Sequence, residues 1–176
     1  MGRLTRRAPR PDLPPAIEKA LELAKGERVL AFAVDDNTGG YVVATTYALA
    51  VFTSSDERIL RRRWLSVDVG AWEPVTATLT VTWADGRRAG QWSFRDQRML
   101  LPETVWERVQ ASVVLSTRLN LGDRRTGRVA IRQDFATREL IPQTILGRYA
   151  RADDPEVQAH VQAALAHLRD QVGLPA

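Results

Sequence analysis

The clearest alternation of apolar and polar residues lies between residues 58 and 98. The run TLTVTW (78–83) alternates threonine with apolar residues, which predicts a strand with one apolar and one polar face. Asp85-Gly86 follows as a strong two-residue hairpin signal, and Trp92 and Phe94 share a face of the next alternating run. A strand with one apolar face is typical of an antiparallel sheet that covers a core on one side. We therefore expect a core-building hairpin in which the tryptophans are packed inside.

Further alternating runs predict strands before this hairpin. The runs RVLAFAV (28–34) and YVVATTYALAVF (41–52) flank a turn rich in Asp, Asn and Gly at Asp35 to Gly40. The second run is long enough for two strands with a bend near Thr46 and Tyr47. Residues 58–69 are expected to form one further strand, which gives six strands before residue 101.

Helical periodicity predicts a helix at each end of the chain. The first is expected within residues 12–26, with Asp12 as its N-cap and Gly26 as its end. The last has an apolar stripe that begins after an N-cap at Asp153 or Asp154 and ends at Gly173.

A third helix is predicted in the middle of the chain, at residues 103–116. Val105, Val109 and Val113 would lie on one face, with Trp106 beside them. A helix at this place could cover the open side of a curved sheet.

Strand patterns return after this helix. The runs 128–133 and 140–146 flank a turn at residues 134–138, which predicts a second hairpin, and Pro142 indicates an edge strand. The predicted fold class is therefore α+β, with a curved antiparallel sheet or partly open barrel, a covering helix, and an additional hairpin and C-terminal helix. The predicted organisation is a mobile basic arm, residues 1–11, followed by a single domain, residues 12–176. Within the domain we expect an N-terminal helix (12–26), a core (27–117) and a C-terminal addition (118–176).

Composition and charge narrow the range of functions. The chain has 176 residues and no cysteine, which excludes disulfides and thiolate metal sites. No apolar run reaches the length of a membrane span and none follows the N-terminal charges, so we expect a cytoplasmic protein. Four arginines precede Asp12, and the remaining residues carry 21 basic and 21 acidic side chains, so the predicted domain is neutral.

The order of strands and covering helix resembles that of bacterial pleckstrin-homology-like (PH/GRAM-like) domains, in particular proteins of this length from GC-rich bacteria. The resemblance extends over about residues 28–116 and rests on YVVATTYALAVF, on TLTVTWADG, and on the spacing of Trp64, Val67 and Trp72. It implies a barrel-like pair of curved sheets with seven strands, closed at one end by a helix. Members that bind phosphoinositides carry basic residues around the loop between the first two strands, whereas the loop here is the acidic Asp35 to Gly40. The resemblance therefore favours protein docking over phosphoinositide binding.

Arginine clusters are the candidate sites for binding a partner or an anion. The residues are Arg61, Arg62 and Arg63 on a predicted strand, Arg87 and Arg88 after the hairpin turn, and Arg6 and Arg7 in the arm. A phosphate, an anionic lipid or an acidic protein surface could bind such clusters. Alternatively, Arg61 to Arg63 form a solvated strand face and pair with nearby carboxylates such as Asp56, Glu57 or Asp68. In the same interpretation, Arg87 and Arg88 lie at a solvated hairpin tip, and the arm is a solubilising tail.

Catalytic signatures are absent from the sequence. There is no glycine-rich phosphate loop and no nucleophile elbow, and the two histidines, His160 and His167, are seven residues apart. We therefore predict no catalytic residue, metal or cofactor. The leading hypothesis is a non-catalytic binding or scaffold module that acts through protein contacts, including self-association. The alternative is binding of a membrane surface or a nucleic acid through the arm and residues 61–63, and an enzyme is a third hypothesis.

Overall fold

The structure is a computed structural model that describes residues 12–95, 100–122 and 124–174. The predicted arm, with Arg6 and Arg7, lies outside the described residues. Within the described residues the chain forms three α-helices, ten strands and one 3-10 turn. In chain order these are α1 Pro15–Ala20, β1 Val29–Val34, β2 Tyr41–Thr45, β3 Ala48–Phe52, β4 Arg58–Arg63, the 3-10 turn Trp64–Ser66, β5 Val67–Glu73, β6 Thr78–Trp83, β7 Gly90–Ser93, α2 Leu101–Ser112, β8 Val113–Arg118, β9 Gly127–Gln133, β10 Leu140–Leu146 and α3 Pro155–Gln171.

The strands form three antiparallel sheets. Their orders are β1-β2-β3-β4, β5-β6-β7 and β10-β9-β8. The α+β class is confirmed, and the described strands do not close into a barrel. No helix in the described part of the chain is long and apolar enough to cross a membrane.

The predicted alternation of β6 is confirmed. Leu79 and Val81 are fully buried, and Trp83 is nearly so, while the threonines between them are half-buried. The β5-β6 and β6-β7 pairings place this strand at the centre of its sheet. The main core lies between the first two sheets and α2, and the wholly buried Trp64 belongs to it.

The prediction of one strand over residues 58–69 is wrong, because the chain turns at Trp64–Ser66 and passes from the first sheet to the second. The buried indole of Trp64 donates a hydrogen bond from Nε1 to the Thr45 carbonyl oxygen at 2.9 Å. That anchor holds the turn inside the core and divides the run into β4 and β5. Among the described residues, seven strands therefore precede α2, and not the predicted six.

The first helix is shorter than predicted. Pro14 is its N-cap, and the exposed Asp12 does not cap it; after Leu21 the chain turns through Glu22, which has a positive φ of 49°. Ile17 and Leu21 are fully buried. They cover the outer face of the first sheet, where they pack with Val43, Ala50 and Phe52.

The central helix ends at Ser112 instead of residue 116. Val113, predicted on the apolar face of the helix, begins β8, which pairs with β9. The predicted hairpin is therefore part of a three-stranded sheet, and the predicted boundary after residue 117 falls one residue before the end of β8. Pro142 lies on β10, an edge strand as predicted.

The C-terminal helix agrees with its prediction. Asp154 caps α3, and its side chain accepts a hydrogen bond from the Glu156 backbone N–H at 2.9 Å. Val157, Leu165 and Leu168 are buried and form a second core with β8 and β9 residues.

Candidate functional site

The arginine triplet on β4 consists of ion-paired side chains. Arg61 Nη2 lies 2.5 Å from a carboxylate oxygen of Glu27, whose side chain is fully buried. The other oxygen of Glu27 accepts a hydrogen bond from Thr45 Oγ1 at 2.5 Å. Because a buried carboxylate needs a compensating cation, the charge of Arg61 stabilises the segment between α1 and β1.

The other two arginines of the triplet are paired as well. Arg62 Nη1 lies 2.9 Å from Asp85 Oδ2, and its guanidinium lies 4.6 Å from the centre of the Trp83 ring. Arg63 pairs with Asp134, whose carboxylate is buried in the turn between β9 and β10. The partners of the triplet are thus Glu27, Asp85 and Asp134, and not the expected Asp56, Glu57 or Asp68.

The electrostatics of the hairpin tip reflect this pairing. Partial burial alone would raise the pKa of Asp85, but the Arg87 backbone N–H and the Arg62 guanidinium outweigh it and lower the pKa below its ordinary value. Arg87 Nε lies 3.3 Å from Asp85 Oδ2, and Arg87 is exposed. Arg88 is also exposed and forms no ion pair with any described residue. The hairpin tip therefore presents Arg88 with its charge uncompensated by the described residues.

The acidic loop between β1 and β2 has a structural role. Asp35 is 3% exposed, and its carboxylate accepts hydrogen bonds from Thr38 in the turn and from the Ser93 backbone N–H. The carboxylate of Asp36 accepts one from the Arg95 backbone N–H at 2.6 Å. These bonds attach the loop to the end of β7.

A groove lies between the second sheet and the N-terminal half of α2, and we call it the aromatic groove. Its volume is about 630 Å³. It opens beside β5, the loop that follows β5, and the end of β7. It is lined by Gly70, Trp72, Pro74, Ala77, Phe94, Arg95, Pro102, Glu103 and Trp106.

Three aromatic rings give the groove its apolar surface. Trp72 and Phe94 stack with their centroids 6.4 Å apart and their planes inclined by 17°. Phe94 is 1% exposed and anchors this pair in the core, whereas Trp106 on α2 is 57% exposed. The groove therefore combines the stacked pair Trp72 and Phe94, which packs on the core, with the largely exposed indole ring of Trp106.

Close packing of α2 on β5 places Trp106 at the groove. A Cβ atom on Gly70 would lie 2.5 Å from Val105 Cγ1, so a larger residue at this position would have to displace the Val105 side chain. Val105 and Val109 then face the core. Because Trp106 is one residue beyond Val105, the helical turn of about 100° per residue carries its side chain to the edge of the helix, over the groove.

Polar groups line the rim of the groove. Neither indole N–H of Trp72 and Trp106 has a hydrogen-bond partner among the described residues. The side chains of Arg95 and Glu103 make no ion pair with any described residue. Glu107 lies one helical turn after Glu103, is exposed, and also makes no ion pair with a described residue. The groove therefore combines apolar rings with hydrogen-bond donors and unpaired charges.

Sequence reasoning placed the aromatic residues in the core, which holds for Trp64 and Trp83 but not for Trp106. Trp72 and Trp92 are half-buried and pack against the core. The only signal for Trp106 was its position beside the valine stripe of the helix. Of the predicted arginine sites that the structure describes, Arg61 to Arg63, Arg87 and Arg88, none lines the aromatic groove. Arg95 does line it and is not among the predicted residues.

A buried guanidinium links the C-terminal sheet to the main core. Arg132 on β9 is 1% exposed and donates to the carbonyl oxygens of Trp64 and Val67, both at 2.8 Å. Its Nε donates to Ser112 Oγ at 3.0 Å, and its Nη2 bonds the same oxygen. Burial lowers the pKa of Arg132 to about 10, and the positive charge of Arg128 adds to the shift.

Comparison with known proteins gives no further guide, since no protein-family model, curated protein or solved structure matches this chain. Among the described residues, no group of three or more His, Cys, Asp or Glu side chains is arranged to hold a metal ion. The aromatic groove is thus the candidate site that geometry favours.

Proposed function

We propose that this protein is a non-catalytic binding module with a PH-like core, and that it binds another protein at the aromatic groove. The observation that carries the proposal is Trp106, a tryptophan on a regular helix with more than half of its surface open to solvent. Tryptophan is enriched among the residues that dominate binding energy at protein interfaces. An exposed tryptophan beside a preformed apolar groove is typical of such a surface.

The order of elements supports the PH-like part of the proposal. Four antiparallel strands form one sheet, three form a second, and α2 follows and packs on β5. This matches the seven strands and closing helix that the resemblance implies. The C-terminal sheet and α3 are additions to that plan.

The charge distribution favours protein contact over the alternative, an anionic ligand. The triplet on β4 is held by three carboxylates, and two of them are buried. A phosphate would have to compete with those carboxylates for the same guanidinium groups. A second copy of this chain is one of the proteins that could occupy the groove.

Affinity capture from a native lysate tests the proposal. The full chain, Trp106→Ala and a matched control, Tyr149→Ala, serve as baits; Tyr149 is 64% exposed and does not line the groove. We expect a set of proteins that the wild type and the control retain and that Trp106→Ala loses. Alanine has the highest helix propensity, so the groove variant keeps α2 intact.

Two outcomes contradict the proposal. The first is an unchanged set of captured proteins with Trp106→Ala. The second is capture that ignores Trp106 but falls steeply between low and moderate salt, which would favour the anionic-ligand alternative.

A further inference from the structure

We propose that the occupant of the aromatic groove is a basic, proline-rich segment of a partner protein, bound in an extended polyproline II conformation. This inference rests on the proposed function, because it names the chemical class of the partner that the groove accepts. It concerns the combination of Trp72, Trp106 and Glu103, which line the same groove.

The ring geometry fits proline. Trp72 is stacked on Phe94, and Trp106 on α2 adds a further aromatic ring to the lining of the groove. Pyrrolidine rings pack against such aromatic faces, and the preformed polyproline II helix loses little conformational entropy on binding. Pro74 and Pro102 add rigid apolar surface at the rim without adding a backbone N–H.

The hydrogen-bonding groups fit the same ligand. A polyproline II segment makes no internal hydrogen bonds, so its carbonyl oxygens need donors from outside. The indole N–H groups of Trp72 and Trp106 have no acceptor among the described residues. Two of the residues that line the groove therefore have donors without a described acceptor, which suits a chain whose backbone offers acceptors and few donors.

The charges determine the flanking residues of the ligand. Glu103 lines the groove on α2, and Arg95 lines it after the end of β7. Glu107 is exposed one helical turn after Glu103 and does not itself line the groove. Two carboxylates against one guanidinium favour a basic residue in the ligand on the helix side. The same carboxylates disfavour a nucleic acid, which would need a basic groove around the stacking rings.

Fluorescence anisotropy with defined peptides tests the inference on the full chain. The probe is a fluorescein-labelled peptide of four Pro-Pro-Arg repeats. Two peptides of equal length are compared with it: Ala-Ala-Arg repeats keep the charge but not the polyproline II form, and Pro-Pro-Glu repeats keep the form but reverse the charge. We expect saturable binding of the first peptide and at least roughly tenfold weaker binding of the other two.

Variants of the chain locate the binding site. Trp106→Ala should weaken binding of the Pro-Pro-Arg peptide at least roughly tenfold, as for an interface residue that dominates affinity. Glu103→Lys should weaken it several-fold and reduce the preference over Pro-Pro-Glu. The control Tyr149→Ala should bind like the wild type.

The failures of this inference and of the proposed function are distinguishable. If lysate capture depends on Trp106 but no proline peptide binds, or if Ala-Ala-Arg binds as well as Pro-Pro-Arg, the groove is a protein site for another class of partner. If the peptide binds equally to Trp106→Ala, the assignment to the groove is wrong. If neither capture nor peptide binding depends on Trp106, both proposals fail.

Discussion

Loss of the hydroxyl group of Ser112 should destabilise the protein strongly, although Ser112→Ala removes one atom. Ser112 is fully buried, and its Oγ accepts two hydrogen bonds from the guanidinium of Arg132. The remaining acceptors of this guanidinium are two backbone carbonyls, and the described residues supply no carboxylate to it. Removal of Ser112 Oγ would leave the Nε–H of a buried cation without an acceptor.

The expected cost follows from the charge of the donor. Hydrogen bonds to charged groups contribute about 1.5–3 kcal/mol, and burial prevents water from replacing the lost oxygen. We expect the free energy of unfolding to fall by about 2–3 kcal/mol. For a chain of this size, that loss corresponds to a decrease in Tm of about 4–12 °C.

Urea unfolding followed by tryptophan fluorescence measures this change. Trp64 lies in the core beside Arg132, so its emission reports loss of the contact between the C-terminal sheet and the main core. Ser116→Ala on the exposed side of β8 is the matched control and should change stability by less than about 0.5 kcal/mol. Equal stabilities of the two variants would refute the role assigned to Ser112.

The pKa of Arg132 gives an independent signature. It is lowered to about 10 in the folded protein, whereas arginine in the unfolded chain keeps its ordinary, higher pKa. Between these values the unfolded chain binds more protons, so this group makes the free energy of unfolding rise with pH. The stability of the wild type minus that of Arg132→Met should therefore increase from about pH 9 to about pH 11. A decrease of this stability difference over the same pH range would contradict a lowered pKa of Arg132 in the folded protein.

Three further variants test other contacts by urea unfolding. Arg61→Met should cost about 3 kcal/mol, because it leaves the buried Glu27 carboxylate without its cation. Gly70→Ala should cost about 1–3 kcal/mol, since the new methyl group meets Val105 at 2.5 Å; adding Val105→Ala should cost less than the sum of the two single changes. Asp154→Ala should cost about 1 kcal/mol through loss of the N-cap of α3. Changes below about 0.5 kcal/mol in any of these variants would contradict the contact assigned to it.

The elements that the sequence predicted well are those whose cause is local. Alternation over residues 78–83 placed β6, and Asp154 placed the start of α3. Asp85-Gly86 marked a turn directly after β6, but the predicted two-residue hairpin is wrong, because the loop to β7 covers residues 84–89. Each of these depends on a side-chain period or a backbone preference within a few residues. The α+β class followed from the same local signals.

Contacts between distant residues decided the rest. Residues 58–69 alternate like one strand, but burial of Trp64 against Thr45 and Arg132 turns the chain there. Arg61 and Arg63 find carboxylates 34 and 71 residues away, and no local pattern identifies those partners.

By itself, then, the sequence determined most of the strands and helices, because backbone preference and side-chain period act over short range; it did not determine β8 or the division between β4 and β5. Only the tertiary structure decided where Trp106 lies. The close approach of α2 to Gly70 sends the valines of the helix into the core and leaves the neighbouring indole beside Trp72 and Phe94. The aromatic groove exists because these two elements meet, and packing between distant segments is a property of the folded chain.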